Sequence, residues 1–313
     1  MRFIQDFKED ERIVGHYLCK QKNSLKSRAG KTYLSLKLQD KTGVIDAKVW
    51  ELSNDIQSFE ENDYIKIDGV ITTFQNDLQM KVAKIRKSQE GEYDPADYVP
   101  RTDKDIDILY KNFLDYIKSI KNQNIKKLLE SIFLEDPVIH GSFKTHSAAK
   151  QMHHSYMGGL LEHTVAVAKI CDFLSETYEF VDRDLLIAGA LLHDVGKVVE
   201  LSPFPVNDYT DDGQLIGHLV MGSELVSRHA AKIEGFPSQL ELLIKHMLLA
   251  HHGVYEFGSP VLPKTVEAFL LNMADDLDAK TKMFEDAVVK DDTSGMWVGY
   301  HKMFARNLRK SGY

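Results

Sequence analysis

Cysteine is nearly absent from this chain of 313 residues: there are two, Cys19 and Cys171, with no CxxC or paired spacing. That excludes a disulfide scaffold and a thiolate zinc site, and leaves reduced, structural thiols. Long apolar runs are lacking too. Nowhere do apolar residues extend far enough to span a bilayer, and the opening Met1-Arg2-Phe3-Ile4-Gln5-Asp6 meets an acid at once, without a signal-peptide core. The expectation is a cytoplasmic protein with no membrane partner. There is no excess of basic charge either, the net charge being −8. Its distribution is uneven, however: residues 1–90 carry 16 Lys and Arg against 14 Asp and Glu, whereas residues 91–313 carry 23 against 33. An acidic second part can meet a polyanion only if local cations, protein or metal, face the phosphates. The length exceeds that of a usual single domain, so two domains are expected, and a hydrophobic content of 43% is enough to build real cores.

What is present begins with strands. Tyr33-Leu34-Ser35-Leu36-Lys37-Leu38-Gln39 and Val44-Ile45-Asp46-Ala47-Lys48-Val49-Trp50 alternate as half-buried strands do, with Asp40-Lys41-Thr42-Gly43 as the turn. A short helix is expected from Ser53 to Glu60. Two further strands are expected from Tyr64 to Phe74 and from Leu78 to Arg86, joined at Gln75-Asn76-Asp77. Adding Arg12 to Lys22 makes five strands with a helix between the third and fourth, the order of an OB-fold β-barrel over residues 1–90. Such barrels stack bases on exposed aromatics and track the backbone with cations. Tyr17, Tyr33, Trp50 and Phe74 are the candidate platforms, and Lys20, Lys22, Lys26, Arg28 and Lys31 form an expected basic loop between the first two strands. The competing reading places the aromatics in the core and the lysines along a solvated edge, and any single aromatic is more often core than platform.

Residues 91–103, with Gly91, Pro95 and Pro100, have the composition of a linker. Residues 104–145 read as helices that approach the next domain: Ile106, Leu109, Phe113, Tyr116, Ile117 and Ile120 recur at helical spacing, as do Ile125, Leu128, Leu129, Ile132 and Phe133. From 146 to 313 the pattern stays helical and histidines gather. His163 lies in line with Val167, Ile170 and Leu174 on an apolar helix face. Asp182 is placed to cap the next helix, which delivers His193 and Asp194 at its end, with Lys197 a turn further on. His218 follows the loop containing Asp211-Asp212-Gly213. A helix opened by a Ser238-Gln239-Leu240-Glu241 capping box ends at His251-His252-Gly253, and Asp275 shares a face with Ala268, Leu271 and Ala279. Several inward-facing ionisable groups on separate helices are hard to explain one at a time. A shared dinuclear metal centre explains them together. His246 falls on another helical face and is left out of the ligand set, while His153-His154 just before the His163 helix could line the mouth of the site or a polar surface loop. The segment from Gly253 to Pro260 could wall the site or simply connect.

The ordered set His163, His193-Asp194, His218, His251-His252, Asp275 resembles the HD-domain superfamily of metal-dependent phosphohydrolases in its two-metal form. The resemblance implies that Asp194 bridges two metals, that His163, His193 and Asp275 complete one site, and that His218 with His251 or His252 completes the other. It also implies that Lys197 neutralises substrate phosphate. Two divalent ions polarise phosphoryl oxygens and lower the pKa of water, which suits phosphodiester hydrolysis. Imidazole and carboxylate ligands without thiolate leave manganese, iron, cobalt, nickel and zinc open and do not choose among them; manganese is the first expectation.

Gly253 follows the paired histidines where the HD-GYP subgroup has glutamate, and no GYP triplet is present, which disfavours a cyclic-dinucleotide hydrolase. A barrel ahead of an HD domain, together with Gly158-Gly159-Leu160-Leu161-Glu162-His163-Thr164, His193-Asp194-Val195-Gly196-Lys197, His251-His252-Gly253 and Gly258-Ser259-Pro260, is similar to the YhaM family of 3′→5′ exoribonucleases. The resemblance implies an α+β multidomain protein, an OB-fold barrel followed by an all-α HD domain. It also implies single-stranded RNA as partner, with single-stranded DNA second, and release of nucleoside 5′-monophosphates. The rivals are a small-nucleotide HD phosphohydrolase and a non-catalytic single-strand or DNA binding factor with a structural metal site. The basic tail from Lys302, with Arg306, Arg309 and Lys310, reads as a solvated helix end or an RNA contact, and a homo-oligomer is left open.

Overall fold

The computed structural model describes residues 2–27, 30–75, 77–150, 154–289, 291 and 295–312. The chain divides into two compact units, residues 1–101 with Phe204–Val206, and residues 102–203 with 207–313.

The first unit is built on five strands, β1 (Arg12–Lys26), β2 (Thr32–Asp40), β3 (Gly43–Val49), β4 (Tyr64–Phe74) and β5 (Asp77–Lys87), closed as a barrel in the order β1-β2-β3-β5-β4. Closure leaves no free sheet edge, with β1 and β4 pairing antiparallel and β3 and β5 pairing parallel. The alternation read from sequence points one set of side chains inward: Leu36 and Leu38, Ile45, Ala47 and Val49, Ile65, Ile67 and Ile71, Met80, Val82 and Ile85 form the core.

The structure corrects four local expectations here. β1 continues to Lys26, paired with β2 from Lys22↔Leu36 to Lys26↔Thr32, because ladder hydrogen bonds do not require apolar side chains. Lys20, Lys22 and Lys26 therefore lie on a strand and not in a loop. No helix forms from Ser53 to Glu60. Ser53 Oγ accepts from Asp55 N to make a turn, Ile56 bridges Ile85, and Phe59 is buried in the barrel. Tyr17 is fully buried, its hydroxyl donating to Arg2 O at 2.9 Å, so it is a core residue and not a stacking platform. Residues 91–101 pack on the barrel: Tyr93 stacks on Tyr64 at 4.2 Å, Glu92 pairs with Arg86, and Tyr98 and Val99 are buried. These aromatics do not make a free tether. Asn76, in the expected turn, lies outside the described residues.

The second unit contains α1 (Ile106–Ser119), α2 (Gln123–Glu130), α3 (Pro137–Ser142), α4 (Gly159–Thr177), α5 (Arg183–Leu192), α6 (Lys197–Glu200), α7 (Asp211–Ile216), α8 (His218–Ala230), α9 (Ser238–Ala250) and α10 (Val266–Val289). Their apolar faces share one core that includes Phe113, Phe133, Leu161, Leu186, Met247 and Leu271. α5 is buried along almost its whole length, which puts its C-terminal end in the middle of the unit. Asp182 caps α5 by accepting from Leu185 N. Two expectations about helix ends change. Asp211-Asp212-Gly213 belongs to α7, capped by Thr210 Oγ1, rather than to a loop. Ser238 is the first residue of α9, with Pro237 at the cap position and no side-chain cap bond, so the capping box does not form. The C-terminal segment is a hairpin of β6 (Trp297–His301) and β7 (Arg306–Arg309), not a helix end, and it adds a two-stranded sheet to a unit expected to be all-α. Among the described residues, no helix is long and apolar enough to cross a membrane.

Two stability outcomes follow. Tyr17→Ala should lower barrel stability by about 3–5 kcal/mol in urea unfolding, and Tyr17→Phe by only about 1 kcal/mol. Asp136 caps α3 by accepting from Val138 N and Ile139 N, and also faces His229 Nε2 at 3.2 Å. Burial pushes the Asp136 carboxyl up, but these hydrogen bonds outweigh it and leave the pKa lowered. The cap's stabilisation is thus full above the unfolded carboxylate range and is lost as pH falls through the depressed folded value. Asp136→Ala should cost about 1–2 kcal/mol at pH 7, with the gap to wild type closing in acid when thermal melts are compared across pH.

Candidate metal centre and nucleic-acid surface

Each candidate ligand sits where a helix starts, ends or crosses the core. His163 lies within α4 on its buried face. His193 and Asp194 follow the last residue of α5, His218 opens α8, His251 and His252 follow α9, and Asp275 lies within α10. Gly253, at φ +79°, turns the chain out of α9 immediately after the paired histidines, in a left-handed conformation that favours glycine.

These side chains converge in two groups. His163, His193 and Asp275 place ligand atoms within 4.8 Å of one another, and so do His218, His251 and His252. In the first, His193 Nε2 lies 3.2 Å from His163 Nε2, which lies 3.1 Å from Asp275 Oδ1. In the second, His218 Nε2 and His252 Nε2 are 3.3 Å apart. Asp194 stands between them with one oxygen turned to each. Its Oδ2 is 3.4 Å from His193 Nε2 and 3.7 Å from His163 Nε2, and its Oδ1 is 3.6 Å from both His218 Nε2 and His251 Nε2.

The outer face of every ring is anchored. Nδ1 of His163 meets Asp278 Oδ2 at 2.7 Å, that of His193 meets Ala190 O at 2.8 Å, and that of His218 meets Glu200 Oε1 at 2.9 Å. Nδ1 of His251 meets Leu248 O at 2.7 Å and that of His252 meets Phe257 O at 2.8 Å. Each acceptor takes an Nδ1–H, which leaves the Nε2 lone pairs aimed at one another across the centre. Neutral rings gathered this way have no mutual hydrogen bonds to gain, and a proton taken up on His163 Nε2, 3.1 Å from Asp275 Oδ1, stands where a metal cation would. The arrangement is that of ligands oriented by their outer partners. Asp194 Oδ1 is moreover a buried carboxylate oxygen with no hydrogen-bond partner, an expensive group unless a cation compensates it. The donor set therefore fits divalent metal.

The electrostatics agree. Burial works against the charged His163 ring, yet hydrogen bonds to Asp275 and Asp278 leave its pKa raised to about 10. Burial also opposes ionisation of Asp194, but Lys197 and His193 hold its pKa well below the usual range, Lys197 Nζ lying 2.7 Å from Asp194 Oδ2. The pocket thus favours positive charge at its centre. Burial and the neighbouring His251 push His252 down to about 4, keeping that ring in the neutral form a metal requires. A cavity of about 230 Å³ opens beside the cluster, walled by Lys197, His252, Phe257, Asn272 and Asp276.

Two participants were missed from sequence. Asp278 is one turn beyond Asp275 on α10, a spacing that could have flagged it. Glu200 lies in the short α6, and nothing in Lys197-Val198-Val199-Glu200 marks it as the partner of His218. His154, expected at a mouth or in a polar loop, is buried with Nε2 3.1 Å from Asp278 Oδ2, so it is not a nucleic-acid contact. His153 lies outside the described residues. His246 accepts from Lys264 N, away from the cluster. Tyr255–Phe257 forms a single 3-10 turn, whose Phe257 contributes to the cavity wall.

On the barrel, Tyr33 and Trp50 stack at 4.5 Å, and Trp50 and Phe74 are 40% and 60% exposed. With Asp46, Lys48 and Leu78 they line a groove of about 420 Å³. Lys26 and Lys31 are exposed, and Arg28 lies outside the described residues. Lys20 Nζ donates to Pro205 O, while Lys22 Nζ donates to Phe59 O and lies over its ring. Lys22 is thus tied to the barrel's own structure rather than presented to a ligand.

Residues 160–280 match the HD-domain family, and residues 19–87 match the family of OB-fold nucleic acid binding domains. The chain is 32% identical over 289 residues to the 3′-5′ exoribonuclease YhaM of Geobacillus sp. (strain WCH70), covering 92% of this chain and 88% of that protein. The chain belongs to the YhaM family. Solved structures similar to its barrel include the second OB-fold domain of replication protein A from Methanococcus maripaludis, at 18% identity over 29% of this chain and 96% of that one, with a TM-score of 0.24. A replication protein A heterotrimer bound to ssDNA matches at 16% identity over 28% of this chain and 65% of that one, with a TM-score of 0.22.

In this YhaM-family chain, a Cβ built on Gly196 would stand 2.2 Å from His218 O and 2.9 Å from Gly222 N. The close approach is what holds the His193-Asp194 turn against the start of α8. Gly196→Ala should lower stability by about 1–3 kcal/mol in thermal melts and weaken Mn²⁺ binding in calorimetry, because His218 is displaced from Asp194.

Proposed function

We propose that this chain is a 3′→5′ exoribonuclease in which the barrel binds the strand and the helical unit hydrolyses its terminal phosphodiester. The observation that carries the reading is the set of five histidines whose outer nitrogens are all anchored, four of which turn Nε2 toward Asp194 from both sides. His163, His193 and Asp275 would hold one divalent ion, His218, His251 and His252 the other, and Asp194 would serve both. When bound, such ions supply Lewis-acid polarisation of the phosphoryl oxygens and a lowered pKa for water.

The protein's own groups do the rest. Lys197, on the cavity wall beside Asp194, offers its ammonium to the scissile phosphate. Phe257, exposed on the same wall, presents a ring face for the terminal base. Hydrolysis breaks the bond from phosphorus to the 3′-oxygen of the preceding nucleotide; that oxygen leaves with a proton from water, and a nucleoside 5′-monophosphate is released. Tyr33, Trp50 and Phe74 supply stacking surface that does not depend on base identity, which suits a processing enzyme with broad sequence tolerance. Single-stranded DNA would bind the same surface, since stacking needs no 2′-hydroxyl.

The test is 5′-labelled single-stranded RNA incubated with protein and Mn²⁺. A descending ladder is expected, while early release of labelled mononucleotide would contradict the direction. Asp194→Asn should retain oligonucleotide binding and lose turnover by at least about 10²-fold, the scale on which a central electrostatic group acts. Hydrolysis of free nucleotides with oligomers left intact would favour a small-nucleotide phosphohydrolase instead.

A further inference from the structure

His154 is one of six non-glycine residues among those described with positive φ, at 56°, and it is buried. A strained backbone under a buried polar ring asks what the ring does there. Its Nε2 lies 3.1 Å from Asp278 Oδ2, the same oxygen that accepts from His163 Nδ1 at 2.7 Å. Its Nδ1 lies 2.8 Å from the Tyr156 hydroxyl, which also lies 2.9 Å from Glu162 Oε2. Glu162 is in turn gripped by Thr102 Oγ1 at 2.5 Å and Lys104 Nζ at 2.9 Å. A continuous polar chain therefore runs from Thr102 and Lys104 through Glu162, Tyr156, His154 and Asp278 to a metal-facing ring.

Two of the five rings are anchored by side-chain carboxylates: His218 by Glu200, which also accepts from His218 N at 3.0 Å, and His163 by Asp278, whose second contact comes from His154. The Nδ1 atoms of His193, His251 and His252 are held by backbone carbonyls, which helix and turn geometry already fix. Asp278 is a side chain with rotamers of its own, and a carboxylate that accepts from only one side can swing. His154 supplies a second donor to the same oxygen. The chain segment that carries it is locked as well: Ala148 N donates to His154 O, and a Cβ on Gly159 would stand 2.1 Å from that carbonyl, so only glycine lets α4 start against it.

We propose that His154 is a positioning residue for the metal centre, fixing Asp278 and through it the orientation of His163. The inference rests on the metal-centre reading above. Without His154 the Asp278 carboxylate loses a donor and the His163 ring its fixed direction, and outer partners of metal-binding histidines are typically worth 10–100-fold in metal affinity.

The test uses the full chain and Mn²⁺ alone, with binding followed by calorimetry and by the loss of free-Mn²⁺ signal in electron paramagnetic resonance, and with metal-free melting temperatures measured in parallel. His154→Leu, which keeps bulk and removes the donor, is expected to weaken one of the Mn²⁺ sites about 10–100-fold. His154→Gln, which carries an N–H at similar reach and meets the same backbone strain, is expected to recover most of that loss. Tyr156→Phe, nearly isosteric and expected to fold, should give a smaller loss in the same direction. Wild-type Mn²⁺ affinity in His154→Leu overturns the proposal. Equal losses in the Leu and Gln variants, tracking equal drops in metal-free melting temperature, also overturn it, since His154 would then be packing only. Should neither His154 variant fold, unchanged Mn²⁺ affinity in Tyr156→Phe overturns it. A wild-type protein that takes up no Mn²⁺ would instead remove the metal-centre reading, and this inference with it.

Discussion

The second unit depends on one constraint: a carboxylate, Asp194, is held almost fully buried. An isolated ionised carboxylate in such a place is far too costly to keep. The fold answers by surrounding it with compensating groups from five helices and their ends. Lys197 pairs with one oxygen, and four of the five imidazoles lie within 3.4–3.7 Å of one oxygen or the other. The other oxygen remains without a hydrogen bond. The buried length of α5, the close approach at Gly196 and the left-handed turn at Gly253 all serve to bring these groups to that point.

Around the centre, charge is balanced in layers. The carboxylates of Asp275, Asp278 and Glu200 face the rings, and backbone carbonyls fix the tautomers of three more. The negative balance of residues 91–313, which seemed at odds with a phosphate-bearing substrate, is partly concentrated where cations would sit. Divalent metal and Lys197 would reverse the local sign at the point where phosphate arrives. On the barrel, Trp50 and Phe74 stay exposed beside Tyr33 and Lys26 and Lys31 are exposed, whereas Lys22 is used by the barrel's own structure.

The barrel and the HD assignment are both legible in the sequence. Period-two alternation is a strong signal when each strand has one buried face, as in Leu36 and Leu38 or Ile45, Ala47 and Val49. The candidate ligand histidines stand out because ionisable groups on apolar helix faces violate ordinary burial. The failures have equally physical causes. Ser53 to Glu60 looked helical by polarity, but the backbone bridge of Ile56 to Ile85 and the burial of Phe59 outweigh local propensity. Tyr17 and Trp50 are both aromatics on or next to barrel strands, and only barrel closure separates the one inside from the one outside. Ser238 and Glu241 match a capping box, yet the helix starts at Ser238 itself.

By itself the sequence determined the five barrel strands, the two-part organisation and the residue types of the candidate metal centre, because periodicity and chemically costly side chains are local properties of the chain. Only the tertiary structure decided which oxygen of Asp194 faces which ring, that Asp278 and Glu200 orient His163 and His218, and that His154 belongs to the interior rather than to the mouth. Those are relations between residues up to 124 positions apart, as for His154 and Asp278. They arise when helices pack, and no spacing along the chain encodes them.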